Sequence, residues 1–337
     1  MTTPLLEIDD LTVTYRTDTG ELTAVSGVSF CVEANEIFGL VGESGSGKST
    51  LAKAIIGCLD RNGRIDSGEI RYCGTALTSL SEERFRRKFR WNEIAWIPQG
   101  SMNSLDPLER LCDQALEIAQ THTDHSAATI DERFRHAFDA VGLQPDRVTE
   151  YPHQFSGGMK QRAMIALALL LEPSLIIADE PTTALDVIMQ DQVFRYLDEI
   201  RERTGVGVLL ITHDLSVVME ECANLAVLHS GQLAEVGPVT AIYDAPHHPY
   251  TRKLLGAFPD VRDPDAELEV LEGHPPKITD GGGYCTFAPR CPIATAECET
   301  VTPTPQQATE SPSQYHLTTC HRSDRLFEHG RPVGQSR

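Results

Sequence analysis

The chain has 337 residues, 40% of them apolar, enough for about two domains at roughly 150 residues each. Its 49 Asp and Glu outweigh 29 Lys and Arg for a net charge of −20, which argues against a nucleic-acid backbone as a general partner. No apolar run approaches the ~18 residues of a membrane span, since the longest, residues 163–171, stops at Glu172-Pro173. The acidic first ten residues lack the basic-then-apolar pattern of a signal peptide, so a cytosolic protein, or one held at a membrane by partners, is expected. Only six of the basic residues are Lys. That imbalance suits either a high-salt cytoplasm, where the Debye length falls to about 3 Å at 1 M, or a merely acidic protein.

In chain order, Leu6-Glu7-Ile8, residues 11–15 and the alternating residues 25–30 read as strands. Tyr15 is placed either to stack on a nucleobase or simply to pack in its strand. Ile37-Phe38-Gly39-Leu40-Val41 is a short buried strand, and Gly42-Glu43-Ser44-Gly45-Ser46-Gly47-Lys48-Ser49-Thr50 follows it. That stretch fits G-x-x-x-x-G-K-[ST], with a helix expected over residues 51–56. Its glycines (Gly42, Gly45 and Gly47) let backbone N–H groups converge on phosphate oxygens, and the helix N-terminus adds positive partial charge. Lys48 is expected to reach the β- and γ-phosphates and the Ser49 hydroxyl to ligate Mg²⁺.

Residues 94–98 form another strand ending at Gln99, where an amide would face Mg²⁺ or an attacking water. Residues 105–150 look helical, with Leu108, Leu111, Ala115, Leu116 and Ile118 on one face. Ser156-Gly157-Gly158 opens an apolar helix and forms a second anion-binding device, an N-cap hydroxyl beside free N–H groups. Residues 175–180 read as a buried strand ending in two carboxylates. Asp179 is suited to hold Mg²⁺ through its waters, and Glu180 to take a proton from water. After Ala184-Leu185-Asp186 an amphipathic helix runs to about Thr204, and the strand at residues 208–212 ends at His213.

Of nine cysteines, Cys31, Cys58, Cys73, Cys112 and Cys222 are isolated and are expected as small core residues. Cys285, Cys291, Cys298 and Cys320 cluster in the tail as C-x5-C-x6-C, then 21 residues to the last. In a reducing cytosol that pattern favours metal over disulfides, either tetrahedral Zn²⁺ or a [4Fe–4S] cluster, with free thiols as the remaining alternative. The C-x2-C repeats of zinc ribbons are absent. Gly281-Gly282-Gly283 just before them suggests a structural staple.

Tyr15, the 42–50 loop, Gln99, Phe155-Ser156-Gly157-Gly158-Met159, residues 175–180, Ala184-Leu185-Asp186 and His213 stand in the order of an ABC-transporter ATPase. They resemble its A-loop, Walker A, Q-loop, signature, Walker B, D-loop and switch histidine. Phe155 and Met159 depart from the usual Leu and Gln of the signature. The resemblance implies an α/β fold: a P-loop NTPase core with RecA-like, antiparallel β and helical subdomains (the last over about 100–165) across residues 1–255. It also implies ATP and Mg²⁺ as cofactors, with Tyr15, Gly42, Ser44, Gly45, Gly47, Lys48, Ser49, Thr50 and Asp179 binding nucleotide or metal. Gln99 would join Ser49 and Asp179 on Mg²⁺, and Glu180, His213 and Gln99 would serve catalysis. Ser156, Gly157 and Gly158 would serve the ATP of a second ABC ATPase subunit in a homo- or heterodimer.

Residues 101–107, His248-Pro249-Tyr250-Thr251-Arg252-Lys253-Leu254-Leu255, Gly273-His274-Pro275-Pro276 and residues 285–292 resemble the ATP-binding subunits of dipeptide/oligopeptide ABC importers. This implies a small irregular Cys-rich extension over 256–337 carrying a [4Fe–4S] cluster on the four tail cysteines. It further implies two integral-membrane permease subunits, an extracellular solute-binding protein acting indirectly, and a place at the cytoplasmic face of the membrane. Peptides are the expected cargo, with nickel, sugars or another small solute as the alternative; a soluble ABC ATPase outside transport fits less well, there being no coiled coil, basic face or second cassette.

Overall fold

The computed structural model describes residues 3–100, 104–183, 185, 187–257, 273, 275–276, 278–279, 283–309, 311, 313 and 315–326. A hairpin opens the chain: β1 (Leu6–Thr17) and β2 (Gly20–Val32) are joined by two residues and are therefore antiparallel. The two β-runs expected over 6–15 are one strand. Next come β3 (Ile37–Val41), α1 (Lys48–Ile55), β4 (Gly63–Tyr72), β5 (Thr75–Ala76), α2 (Glu82–Lys88) and β6 (Ile94–Ile97). A helical stretch follows, α3 (Leu111–His122), α4 (Ala127–Ala140) and α5 (Gly157–Leu169), then β7 (Leu175–Asp179), α6 (Val187–Thr204) and β8 (Gly207–Ile211). The chain continues through α7 (Leu215–Glu221), β9 (Asn224–His229), β10 (Gln232–Pro238), α8 (Val239–Asp244), α9 (Pro249–Gly256), β11 (Gln306–Gln307) and β12 (Leu317–Thr318).

These elements fall into two compact units. The first comprises the described residues of Met1–Leu6, Val32–Ile37 and Tyr72–Ile211, and the second Glu7–Cys31, Phe38–Arg71 and the described residues from Thr212 onward. In the first unit β6, β7 and β8 pair in parallel, with Ile97 opposite Ala178 and Asp179 opposite Ile211. Every residue of β7 and β8 is buried, as expected of parallel strands covered on both faces. The helices are set by local chemistry. Ser81 and Ser126 cap α2 and α4 by accepting N–H bonds from Arg84 and Thr129. Phe134 and Phe138 of α4 meet edge to face at 4.7 Å inside the helical stretch.

In the second unit β3 pairs in parallel with β9, β9 antiparallel with β10, and β10 antiparallel with β12, which carries β11 on its far side. A separate sheet places β2, β1 and β4 side by side. Among its described residues the C-terminal extension otherwise has short 3-10 turns, at Ala288–Arg290, Ala296–Glu299 and Ser323–Leu326.

Two expectations are corrected here. Of the isolated cysteines only Cys222 is buried; Cys31 and Cys73 are exposed, and Cys58 and Cys112 lie between. Cys31 sits between buried Phe30 and Val32, and strand alternation turns it outward. Cys73 occupies a left-handed turn position, φ 45°. The helical face also differs: Leu111, Ala115 and Ala119 form the buried stripe of α3, whereas Leu108 lies ahead of the helix and is 83% exposed.

Candidate functional site

The 42–50 loop joins β3 to α1 in the second unit. Gly47 caps the helix at φ 102°, and a Cβ there would stand 2.4 Å from the Ala24 carbonyl oxygen, so only glycine fits. Ser46 N–H closes the turn on Glu43 O at 3.1 Å. Lys48, 7% exposed, folds back over the loop: its Nζ donates to Gly42 O at 2.7 Å and Glu43 O at 3.0 Å, and lies 3.4 Å from Ser46 Oγ. An ammonium held on neutral carbonyls above a helix N-terminus is poised for phosphate oxygens, which are stronger acceptors. Ser44 and Gly45 are exposed, and Ser49 and Thr50 half-buried. Tyr15 is half-buried in β1 with its ring against Gly63, where an added Cβ would meet Cε1 at 2.7 Å. His213, in the same unit, is exposed and directly precedes Asp214, the N-cap of α7.

The first unit assembles a carboxylate site at the C-terminal ends of its parallel strands. Asp179 ends β7 at 2% exposure. Glu180 follows in a left-handed conformation, φ 49°, and its N–H donates to Ile211 O at 2.8 Å. Gln99, two residues past β6, donates Nε2–H to Glu180 Oε2 at 2.6 Å, and the Thr183 hydroxyl donates to the same oxygen at 3.1 Å. Thr183 was not anticipated; its signal is a hydroxyl three residues after Glu180, within reach across one turn.

In the same unit Ser156 caps α5, its Oγ accepting from Met159 N at 3.4 Å, and leaves Gly157 as the first helical residue. Gly158 lies against the Met189 side chain: a Cβ there would come within 2.1 Å of Met189 Cε, the free end of a flexible chain that would have to swing aside. Phe155 is buried, with the Arg147 guanidinium 4.5 Å above its ring. The expected residues 101–103, Ala184 and Asp186, and His274, Gly281 and Gly282 of the tail lie outside the described residues.

Cys285, Cys291, Cys298 and Cys320 line one small cavity in the second unit, with His248, Phe287 and Arg322. Burial pushes the Cys320 thiol up to about 12 and Cys291 up to about 11, and each is raised further by the charges of neighbouring cysteines. Cys285 N–H donates to Cys298 O at 2.8 Å, tying two of the four together.

The extension is anchored by polar side chains that sequence reading missed. Glu235 of β10, 0% exposed, accepts from His247 N at 2.8 Å, His248 N at 3.0 Å and His316 Nε2 at 2.6 Å. Among the described residues, Glu235, His247 and His316 form the one trio whose ligand atoms lie within 4.8 Å of one another. His247, however, aims Nδ1 at Ala245 O (2.7 Å) and Nε2 at Thr309 O (2.6 Å), so the trio is a hydrogen-bonded latch.

Comparison with known proteins agrees with this geometry. Residues 25–183 match the family described as ABC transporter, and 234–298 match the oligopeptide/dipeptide transporter, C-terminal region. The oligopeptide transport ATP-binding protein OppD of Salmonella typhimurium is 41% identical over 301 residues, covering 89% of each chain. The dipeptide transport ATP-binding protein DppD of Escherichia coli is 40% identical over 302 residues, covering 89% of this chain and 92% of that one. Among solved structures, the ATP-binding cassette MJ0796, dimeric in a post-hydrolysis state with ADP and Pi, superposes with a TM-score of 0.61 at 26% identity. It covers 69% of this chain, and 98% of its own length is matched. Among the described residues no helix is long and apolar enough to cross a membrane.

Proposed function

Because the chain belongs to the ATP-binding proteins of oligopeptide/dipeptide ABC transporters, an ATP-hydrolysing family, we propose that it powers uptake of di- or oligopeptides through partner permeases. The observation that carries hydrolysis is the Gln99–Glu180–Thr183 set, which fixes one oxygen of Glu180 with two donors. Glu180 then takes a proton from the water attacking the γ-phosphate, while Gln99 orients that water and His213 contacts the γ-phosphate. Lys48 would move from the loop carbonyls to the β- and γ-oxygens, and Ser49, Gln99 and Asp179 would hold Mg²⁺, which offsets phosphate charge. Tyr15 stacks on the base. Ser156, Gly157 and Gly158 serve the ATP of a second cassette, identical or similar, so each site is completed by two chains. Residues 1–255 form the ATPase portion and 256–337 the extension. The assembly stands at the cytoplasmic face of the membrane, on two permease subunits supplied by a solute-binding protein. The acidic, lysine-poor composition suits a high-salt interior. Glu180→Gln should still bind ATP yet release phosphate about 10²–10⁴ more slowly. Unchanged hydrolysis would remove Glu180 as the base.

The four-cysteine cavity fits a [4Fe–4S] cluster. Burial raises the thiols of Cys285, Cys291 and Cys320, so a cationic centre would be needed to hold them as thiolates. A single tetrahedral zinc, at about 2.3 Å to each sulfur, would draw them to about 3.8 Å apart. Cys285, Cys291, Cys298 and Cys320 would hold the cluster, and it would supply a cross-link between the turns that carry them. Anaerobically purified protein should carry about four iron and four sulfide per chain; zinc, or no metal, would replace this reading.

A further inference from the structure

Arg290 of the C-terminal extension reaches the phosphate loop. Arg290 closes the turn Ala288–Arg290 and forms a two-pronged pair with Glu43, the second residue of the loop and 247 positions away. Nη1 donates to Oε2 at 2.7 Å and Nη2 to Oε1 at 3.0 Å, with Arg290 9% exposed and Glu43 21%. The guanidinium is itself oriented: Nη1 also donates to His229 Nε2 at 3.3 Å. His229 Nδ1–H is engaged by Thr286 Oγ1 at 2.9 Å, whose own proton goes to His229 O. That arrangement leaves Nε2 as an acceptor and the imidazole neutral.

Glu43 is fixed at its backbone as well. Its N–H donates to the Tyr250 hydroxyl at 3.0 Å, and its carbonyl receives Lys48 Nζ at 3.0 Å and Ser46 N–H at 3.1 Å. A carboxylate in a loop that binds a polyphosphate would repel its ligand unless neutralised. A planar guanidinium supplies both the opposing charge and a fixed orientation, which an ammonium does not.

We infer that Arg290 is a positioning residue for nucleotide binding: by neutralising and orienting Glu43 it fixes the first turn of the phosphate loop, so the extension sets the loop's affinity for ATP. The inference rests on the reading of residues 42–50 as a nucleotide site. A plain tether would move stability alone; a positioning residue moves the affinity.

The test is equilibrium binding of Mg-ATP and ADP to the full chain, with KM and kcat for phosphate release. Arg290→Gln should raise the ATP Kd and KM about tenfold, the scale of one charge-assisted hydrogen bond. At saturating ATP kcat should stay within about twofold, because the loss is one of binding. Arg290→Lys, which keeps the charge without the fork, should weaken ATP by about threefold. Adding Glu43→Gln to Arg290→Gln should recover most of the lost affinity, since the unopposed carboxylate is gone. A Kd unchanged within about twofold in both single variants, whatever their Tm, makes Arg290 a tether and overturns the inference. Should Arg290→Gln not fold, Arg290→Lys decides by the same criterion. A parent chain that binds ATP without releasing phosphate would count against the hydrolysis reading and leave this comparison of affinities intact.

Discussion

The phosphate loop and the C-terminal extension lie in one compact unit and are held by opposite means. The loop is built from its own sequence: a glycine where no Cβ fits, a helix starting at Lys48, and a lysine satisfied by carbonyls five and six residues back. The extension has almost no regular structure among its described residues, and its stability comes from distant polar partners. Glu235 accepts from His316 as well as from the backbone of His247 and His248 ahead of the extension; Gln232 bonds both Tyr284 O and Thr286 N; and Thr318 Oγ1 donates to His247 O. A segment without ladders or helices must satisfy its buried backbone through side chains. The lesson is that a ligand-binding turn is encoded locally, whereas an irregular appendage is encoded by the surface that receives it.

That contrast can be broken most severely at Glu235. Glu235→Ala leaves two buried N–H groups and an imidazole without their acceptor, and should cost about 3–5 kcal/mol in urea unfolding. A loss under about 1 kcal/mol would show that the extension is held elsewhere. Lys48→Ala should do the reverse, weakening ATP by about 10- to 100-fold through lost charge-assisted bonds while barely moving the unfolding midpoint. A variant that melted early without losing ATP would erase the distinction.

Acid should loosen the region more gradually. His229 and His248 are each held at about 3, chiefly by burial, with the adjacent His248 and the Arg290 guanidinium lowering His229 further. Both are neutral in the fold, whereas in the unfolded chain they protonate near 6.5. Their contribution is therefore complete above about pH 6.5 and is lost as pH falls towards 3, at about 1.4 kcal/mol per pH unit for each imidazole. Thermal melts between pH 7.5 and 4.5 would show it; a flat profile would mean that neither ring is sealed from water.

The sequence made the loop legible because phosphate chemistry demands fixed residue types at fixed spacing. The strand ending at Asp179 was legible as an unbroken apolar run that stops at carboxylates, and α6 ends at Thr204 where its amphipathic pattern stops. The extension was legible only as a cluster of thiols. The string Gln-Leu-Ala-Glu-Val-Gly does not alternate apolar with polar, so nothing in it shows that all six of these β10 residues are buried. The Arg290–Glu43 pair spans 247 positions, beyond any local pattern. Cys31 was misjudged because its neighbours are apolar, although alternation puts those neighbours inside and the thiol outside.

The pairing of β12 with β10 has one further consequence. Glu235 opposite Thr318 and Val236 opposite Leu317 occupy the outer row of N–H and C=O groups of β10. A chain shortened before β11 would present that row bare on an apolar strand, a template for another copy. Such a truncation would be an aggregating protein, not a smaller soluble one, which makes the last segment a guard of colloidal behaviour.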